Sequence, residues 1–450
     1  MSMMTTQKML GYNKDLNLST GETNTMRKKI LLKAPVLTRS GYGEQSRFAL
    51  RSLRSREDLF DIYIQPLTWG ETSWINDISA ERAWIDQTIE KTINHIQQGN
   101  QFDVTLQVSI PNEWQNLAPV NIGYTAGIET TKVAHPWIEA GNQMDGIIVV
   151  SNHSKNVYQN TVYDAVNEQT GENFEVKLQK DVKVVNYPVK VYDNLDPIDL
   201  KLDYDFNFVC IAQAGPRKNL MNTVKWFVEE FHDDEIGLVV KTNIAKNCVM
   251  DREVMLHQIR TPLNAEYPNR KCKIYMLHGD MTDEEIHALH AHPKIRASVS
   301  FTHGEGFGLP LFEAAYMGIP VIAPGWSGQC DFLLDDEMNE KFYNVSYDIQ
   351  AIPEQVLWEG VLIKESGWCY PREQSAKQNM RRCYEDVCRL EKDPKDAKDN
   401  IAAFAESHAE FLKEKFSEEK MYALFVSSLG LDGDFDVEDW IGSLDLEEIE

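Results

Sequence analysis

Short apolar runs that suit buried strands alternate along this chain with longer segments of helical periodicity, and the alternation restarts once. The first series begins with residues 28–34 and the second with residues 206–212. Between them, residues 187–197 interrupt the pattern with two prolines, which indicates a linker. Alternating strands and helices require right-handed crossovers and give parallel sheets covered by helices on both faces. The sequence therefore predicts an α/β protein with two doubly wound, Rossmann-like domains.

The ends of the chain differ from this pattern. The first 26 residues are polar, and residues 432–450 hold nine acidic and no basic side chains. A stretch at about residues 401–428 has the apolar spacing of one amphipathic helix. We therefore expect five segments: a flexible N-terminus (1–26), an N-terminal domain (27–195), a C-terminal domain (200–395), a C-terminal helix (398–430) and an acidic tail (431–450).

One segment of the second domain combines a strand, a glycine loop and the start of a helix. Gly304, Gly306 and Gly308 follow the apolar run 297–301, and Pro310 stands where a helix has its first residue. The N-terminus of a helix offers unpaired N–H groups and a positive dipole end. This loop is therefore a predicted binding site for an anion such as a diphosphate.

Two further loops carry residues suited to the same ligand. Gly41 and Gly43 flank Tyr42 just after the first strand, and glycines allow a ligand to approach the backbone closely. Arg217 and Lys218 follow the first strand of the second domain, at the sheet edge where open α/β folds bind ligands. Each motif alone is weak evidence for a ligand site, and an adjacent Arg–Lys pair is also compatible with a solvated surface.

The motif that begins at Glu305 and continues through Gly306-Phe307-Gly308-Leu309 to Glu313 resembles the donor-site signature of GT-B glycosyltransferases. It is most similar to the large retaining family 4, also called group 1. The resemblance implies two Rossmann-like domains and a C-terminal helix that crosses back onto the N-terminal domain. It also implies that the N-terminal domain holds the acceptor and the C-terminal domain holds a nucleoside diphosphate sugar, a co-substrate, with no other cofactor.

The same resemblance assigns roles to the acidic and basic residues. Glu313 would hold the ribose hydroxyls, because a carboxylate can accept two hydrogen bonds from a vicinal diol, and Glu305 would contact the donor sugar. Arg217 and Lys218 would neutralise the departing diphosphate, because fixed cations in a dry cleft stabilise developing negative charge. Members of the family often have Gly-Arg where this chain has Ala212-Gln213, so Lys218 is the firmer of the two assignments.

The remaining roles concern the first domain. The resemblance places the loop of Gly41, Tyr42 and Gly43 against the donor phosphates and the acceptor. Glu129 lies in a loop where some relatives have a histidine, and His135 follows it. A dedicated base is not required in the front-face mechanism usually proposed for the family, because the leaving phosphate helps to deprotonate the acceptor hydroxyl.

Metal ligands are not evident in the sequence. No Asp-x-Asp motif ends a strand of the first domain, and no His/Cys spacing fits a zinc site. His287, His290 and His292 are close in sequence, but we expect them on a helix surface. The sequence therefore predicts an enzyme without a metal ion.

Composition bounds the location and the partners of the protein. The net charge of −25 weakens the case for general nucleic-acid binding, which depends on basic groups. No apolar run approaches the length of a membrane span, the first 26 residues lack the apolar core of a secretion signal, and the seven cysteines contain no CxxC pair. We expect a cytoplasmic protein without integral membrane association, and its oligomeric state is left open.

The acceptor is left open as well. Residues 324–332 are similar to phage-encoded members of the family, which would place the protein in a host cytoplasm. A glycan, another hydroxyl compound and a hydroxymethylated DNA base are therefore all compatible acceptors. Two other functions also stay compatible with the sequence: a nucleotide-sugar epimerase with the same fold, and a catalytically silent nucleotide-binding scaffold protein.

Overall fold

The computed structural model describes residues 27–167, 169–395 and 400–431. The predicted flexible N-terminus and the acidic tail beyond residue 431 lie outside these residues. The strands are β1 (Lys28–Ala34), β2 (Phe60–Pro66), β3 (Val104–Val108), β4 (Val120–Thr125), β5 (Gly146–Val149), β6 (Val162–Val166), β7 (Asn173–Lys177), β8 (Val182–Val184), β9 (Asn207–Ile211), β10 (Gly237–Thr242), β11 (Lys273–His278), β12 (Ile295–Val299), β13 (Val321–Pro324), β14 (Tyr343–Val345), β15 (Tyr347–Ala351) and β16 (Gly367–Pro371).

Helices alternate with these strands over most of the chain. The α-helices are α1 (Gly41–Arg54), α2 (Ala80–Gln97), α3 (His135–Gln143), α4 (Asn152–Asn160), α5 (Leu220–Glu230), α6 (Val249–Glu266), α7 (Asp283–His290), α8 (Leu309–Tyr316), α9 (Cys330–Leu333), α10 (Glu373–Lys392), α11 (Ala405–Lys415) and α12 (Glu418–Ser428). Helix α7 begins with the capping box that Thr282 and Glu285 predict from the sequence.

The strands form two six-stranded parallel sheets, one in each domain. The first sheet has the order β2-β1-β3-β4-β5-β8, and the second has the order β11-β10-β9-β12-β13-β14. In the second sheet this order equals 3-2-1-4-5-6 in sequence, the doubly wound order of dinucleotide-binding domains. The predicted α/β class with two Rossmann-like domains is confirmed. The irregular residues 185–206 join the two sheets and include the predicted linker.

Apolar side chains on both faces explain why the central strands are buried. In β1, Ile30 and Leu32 are fully buried on one face and Leu31 is buried on the other. In β9, Phe208 and Val209 are likewise buried on opposite faces. Strands covered by helices on both sides have this near-continuous apolar sequence, which is why they could be located from the sequence.

Two antiparallel hairpins lie outside the parallel sheets, and the sequence did not reveal them. Strands β6 and β7 pair in the first domain, and β15 and β16 pair in the second. In β15 the side chains are partly exposed or exposed, so this strand lacks the apolar run that marks a buried strand. The residues 352–366 between β15 and β16, here called the arm, extend from the second domain to the first. Val361 and Ile363 of the arm pack against the core cluster that contains Ile128 and Trp137.

The C-terminal segment returns to the first domain, as the family resemblance implies, but it is not one helix. It consists of a short 3-10 turn followed by α11 and α12, and the chain breaks between them at Phe416 and Ser417. Ser417 caps α12 by accepting a hydrogen bond from the backbone N–H of Lys420. Phe425 of α12 is fully buried, and its ring lies 5.4 Å from that of Phe48 in α1, between ring centroids. The last helix is therefore part of the core of the first domain.

Replacing Phe425 by leucine should destabilise the protein by about 1–2 kcal/mol, because it removes buried ring atoms and the edge contacts with Phe48 and Tyr124. Guanidinium unfolding followed by tryptophan fluorescence measures this change. The matched control is Phe404→Leu, because the sequence places Phe404 on the apolar face but the structure leaves it 46 % exposed. Equal losses in the two variants would contradict the docking of α12.

Candidate functional site

A cleft of about 700 Å³ lies between the two domains, within the usual size range of small-molecule sites. On the side of the second domain it lies where the order of the sheet reverses, between β9 and β12. The loops that follow these two strands leave in opposite directions, and open α/β sheets bind ligands in the crevice this creates. The loop after β9 carries Arg217 and Lys218, and the loop after β12 carries the glycine motif.

All four predicted catalytic residues meet in this cleft. The Lys218 Nζ atom donates to both carboxylate oxygens of Glu305, at 2.6 and 2.7 Å. Arg217 lies between two carboxylates, 3.2 Å from Glu305 and 3.4 Å from Glu129. Arg217 also donates to the backbone carbonyl of Gly304. The cluster joins the two domains, because Glu129 belongs to the first and the other residues to the second.

Burial and charge set the protonation of this cluster. Burial alone would raise the pKa of Glu305, but the charges of Lys218 and Arg217 outweigh it and lower the pKa to about 2. Burial lowers the pKa of Lys218, and the Glu305 carboxylate opposes that shift. Glu305 is therefore ionised at neutral pH and holds both cations in fixed positions. A group of fixed charges facing a cleft can stabilise a leaving group without reorganising.

The glycine loop packs so closely on the first domain that side chains are excluded from it. A Cβ atom on Gly306 would lie 1.8 Å from the carbonyl oxygen of Ala126, and one on Gly304 would lie 2.5 Å from that of Glu129. Gly308 has φ +102° and is the residue before α8. These glycines therefore serve the contact between the domains as well as the opening of the helix N-terminus towards the cleft.

Other predicted donor-binding residues lie at different depths. Gly306, Phe307, Gly308 and Leu309 line the cleft, although the Phe307 ring itself is buried in the core. Gly41 and Tyr42 also line the cleft. Gly43 instead packs on Thr38, whose carbonyl oxygen would lie 2.0 Å from a Cβ atom at this position. Gly43 is required by the start of α1, and a donor contact at Gly43 stays a prediction.

Glu313 lies deeper than the sequence suggests. It lines a separate cavity of about 20 Å³ next to Glu44, Lys190 and Tyr316. Lys190 bridges the domains there, at 2.9 Å from Glu44 and 2.5 Å from Asp283. Burial is the main cause that raises the pKa of Glu313, Lys190 opposes it, and Asp283 and Glu44 add to it. The resulting pKa is about 8. Glu313 is therefore largely protonated at neutral pH in this structure, and its ribose role stays a prediction.

This raised pKa predicts a pH-dependent stability. Between about pH 4.3 and 8 the unfolded chain has ionised Glu313 while the folded protein keeps its proton, so stability falls as the pH rises through this window. Glu313→Gln removes this loss, and its thermal midpoint should exceed that of the wild type at pH 8 by an amount that shrinks towards pH 5. Thermal unfolding at several pH values measures this difference. Glu253→Gln, on an exposed position of α6, should show no such trend.

Several site residues escaped the sequence analysis. The ring of Trp69 lies 4.0 Å from that of Tyr42, between centroids, and both line the cleft. The start of β16 connects the loops that carry Glu129 and Glu305. Gly367 donates to the side chain of Thr131 at 2.8 Å, and His303 and Cys369 pair through their backbones at 3.0 Å. No local motif marks these pairs, because their members are far apart in sequence.

Of the three histidines expected on a helix surface, His287 and His290 differ from the expectation, and His292 is half-buried. His287 and His290 are almost completely buried, and His287 contacts the hydroxyl of Tyr316 at 2.6 Å. His153 is largely buried, which lowers its pKa to about 4, and it lies 3.2 Å from the carbonyl oxygen of Thr130. His135 is 40 % exposed and lies 3.7 Å from Glu139. The rings of His287, His290 and His153 therefore pack inside the protein, whereas His135 lies at the surface.

The described residues include neither a candidate metal site nor a candidate membrane span. Within residues 27–167, 169–395 and 400–431, no three His, Cys, Asp or Glu side chains are grouped so that they could hold a metal ion. No helix in this part of the chain is both long and apolar enough to cross a membrane.

Solved structures with the same architecture cover nearly the whole chain. HepE of Anabaena in complex with UDP and glucose is 13% identical, has a TM-score of 0.52, and the match covers 90% of this chain and 100% of HepE. The sucrose-phosphate synthase of Thermosynechococcus elongatus is 12% identical, with a TM-score of 0.53. The match covers 89% of this chain and 98% of the synthase. The catalytic domain of Arabidopsis thaliana starch synthase IV bound to ADP and acarbose is 11% identical, with a TM-score of 0.51. The match covers 90% of this chain and 99% of that domain.

By sequence, the chain matches no protein-family model and none of the curated proteins. The likeness to the solved structures therefore concerns the fold. This chain has two Rossmann-like domains, an interdomain cleft at the switch point of the second sheet, and a last helix that returns to the first domain. The chain has the GT-B fold that it shares with these three proteins.

Proposed function

We propose that this protein is a glycosyltransferase that moves a sugar from a nucleoside diphosphate sugar to a hydroxyl acceptor. The proposal rests on a cluster of charged residues in the interdomain cleft, close in sequence to the N-terminus of α8. The cluster consists of Arg217, Lys218, Glu305 and Glu129. Two partly buried cations and the N-terminus of α8 favour an anionic ligand, and the carboxylates suit sugar hydroxyls. The solved structures with this fold include complexes with UDP and ADP.

The proposed reaction retains the configuration of the sugar. The bond between the anomeric carbon and the diphosphate oxygen breaks, and its electron pair passes to that oxygen. The acceptor oxygen forms the new bond on the same face, and its proton passes to the leaving phosphate. Lys218 and Arg217 stabilise the negative charge that develops on the diphosphate, while Glu305 orients the sugar and fixes the two cations.

The finer assignments belong to the same proposal. We place the protein with the retaining family 4 enzymes, with a phage-encoded member as the nearest type and a cytoplasmic location. The acceptor class is a glycan or another hydroxyl compound, and a hydroxymethylated DNA base is retained as the alternative. The motif of Glu305 and Glu313 and the sequence of residues 324–332 support these assignments.

A thermal-shift panel of UDP-, GDP-, ADP- and dTDP-sugars tests the proposal. One donor should raise the unfolding midpoint, because a ligand at a hundred times its Kd adds about 2.7 kcal/mol of stability. The same donor should then release its nucleoside diphosphate together with a glycosylated product. Release without a glycosylated product would favour the epimerase, and tight binding without turnover would favour the scaffold protein.

Activity should persist in the presence of a chelator, because Arg217 and Lys218 supply the positive charge that a divalent ion would otherwise bring to the diphosphate. Transfer is measured with an excess of chelator, and again with added Mg²⁺ or Mn²⁺. The expected rates agree within about twofold. A strict loss of activity in chelator, restored by one of the ions, would contradict metal independence.

A further inference from the structure

Two oppositely charged side chains, Lys241 and Asp280, line the donor side of the cleft, apart from the Arg217–Lys218 cluster. Lys241 is the next-to-last residue of β10, and its side chain makes no hydrogen bond or ion pair within the described part of the chain. Asp280 follows the neighbouring strand β11, and its contacts are long: 3.3 Å to the hydroxyl of Ser73 and 3.8 Å to Arg39. Both residues line the cleft, so each has hydrogen-bonding capacity available for a ligand.

The position of this pair matches the nucleobase end of a donor. Strands β9, β10 and β11 are consecutive in the second sheet, and neighbouring strands lie about 4.8 Å apart. The end of β11 is therefore about 10 Å from the end of β9, where Lys218 would hold the diphosphate. Burial lowers the pKa of Lys241, and the opposing charges are those of Asp280 and then Glu313. Lys241 pairs in register with Leu277, three residues before Asp280, so the two charged residues lie at the same edge of the sheet.

Resting on the glycosyltransferase proposal, we infer that Asp280 and Lys241 form a guanine-reading subsite, so that the donor is a GDP-sugar. Guanine presents two adjacent donors, N1–H and the 2-amino group, beside the acceptor O6. A carboxylate accepts from both donors at once, and an ammonium next to it donates to O6.

The other common bases fit this pair poorly. Uracil and thymine present one N–H flanked by two carbonyl oxygens, which a carboxylate would repel. Adenine presents its amino group beside the acceptor N1, so only one oxygen of Asp280 would gain a hydrogen bond. A charged group that faces the ligand without a matching partner on the base costs affinity, which is how polar sites discriminate between ligands.

Calorimetric titration of the full-length wild type with GDP, UDP, ADP and inosine diphosphate tests the inference. GDP should bind at least about tenfold more tightly than UDP or ADP, because hydrogen bonds to a charged acceptor discriminate by about that factor or more. Inosine diphosphate lacks the 2-amino group and should bind about tenfold more weakly than GDP. These comparisons need no variant, so they stand even where a substitution prevents folding.

Asp280→Asn provides the matching test in the protein. It should weaken GDP binding at least about tenfold and strengthen binding of xanthosine diphosphate, because an amide can donate to the 2-carbonyl of xanthine. The control is Asp205→Asn in the same domain, at a position where the side chain is 95 % exposed, and it should leave all affinities unchanged.

The outcomes separate this inference from the proposed function. UDP or ADP binding as tightly as GDP, or an Asp280→Asn variant with unchanged base preference, would overturn the guanine subsite and leave the glycosyltransferase proposal in place. Failure of every nucleoside diphosphate to bind would overturn both.

Discussion

Replacing Lys218 by alanine is expected to lower kcat/KM for sugar transfer by about 10²–10³-fold, the usual cost of removing one fixed group that stabilises charge in the transition state. In the proposed reaction its ammonium lies beside the diphosphate that gains charge as the glycosidic bond breaks. Its position is fixed by two short hydrogen bonds to Glu305. The loss should appear mainly in kcat, because the charge develops only as the bond breaks.

The matched control for this prediction is Lys225→Ala. Lys225 lies on α5 of the same domain, is 49 % exposed, and pairs with Glu229 only at 3.8 Å. It should leave kcat and KM unchanged. Lys218→Arg should restore part of the rate, because it keeps the charge but places it differently. Circular dichroism checks that each variant is folded. A Lys218→Ala enzyme with a rate near that of the wild type would remove Lys218 from the chemistry.

Gly306→Ala is expected to reduce kcat/KM by at least about 10²-fold, because the two domains can no longer approach each other as they do here. The added Cβ atom would lie 1.8 Å from the carbonyl oxygen of Ala126, so one of the two loops must withdraw by more than 1 Å. The neighbouring Glu305 would then shift relative to Glu129 and the acceptor, and displacements of this size disrupt reacting geometry.

Gly146→Ala serves as the control for Gly306→Ala. It makes the same chemical change in β5, where the nearest atom is 3.9 Å from the added Cβ, an ordinary contact. This variant should keep its activity, and both variants should remain folded. Small-angle scattering should detect the more open domain arrangement only in Gly306→Ala. A fully active Gly306→Ala enzyme would show that catalysis does not require this closed contact.

The fold could be predicted well because its signals are local. Strands such as β1 and β9 are buried on both faces and are therefore apolar throughout. The capping box at Thr282 and the glycines before α8 mark helix starts by residue type alone. The hairpins and the break at Phe416 were missed, because β15 is largely exposed and because the apolar spacing of the last segment continues across the break.

The candidate site was predictable only in part, for the same reason. Arg217, Lys218 and Glu305 lie in loops that the sheet order brings together, so their meeting follows from the topology. The partner of Arg217 in the other domain, Glu129, was chosen by resemblance, and the 3.4 Å contact depends on how the domains close. The pairing of Thr131 with Gly367 and the raised pKa of Glu313 depend on packing between distant segments, which no local pattern encodes.

The return of α12 to the first domain has a consequence for synthesis of the protein on the ribosome. Phe425 and Val426 complete a core whose other members include Phe48 and Tyr187. The nascent first domain therefore emerges with an apolar surface uncovered, and this surface stays open while the whole second domain is translated. At roughly 5–20 residues per second, the interval is on the order of ten seconds to a minute. During that time the surface is available to chaperones or to aggregation, and it closes only when the last helix leaves the exit tunnel.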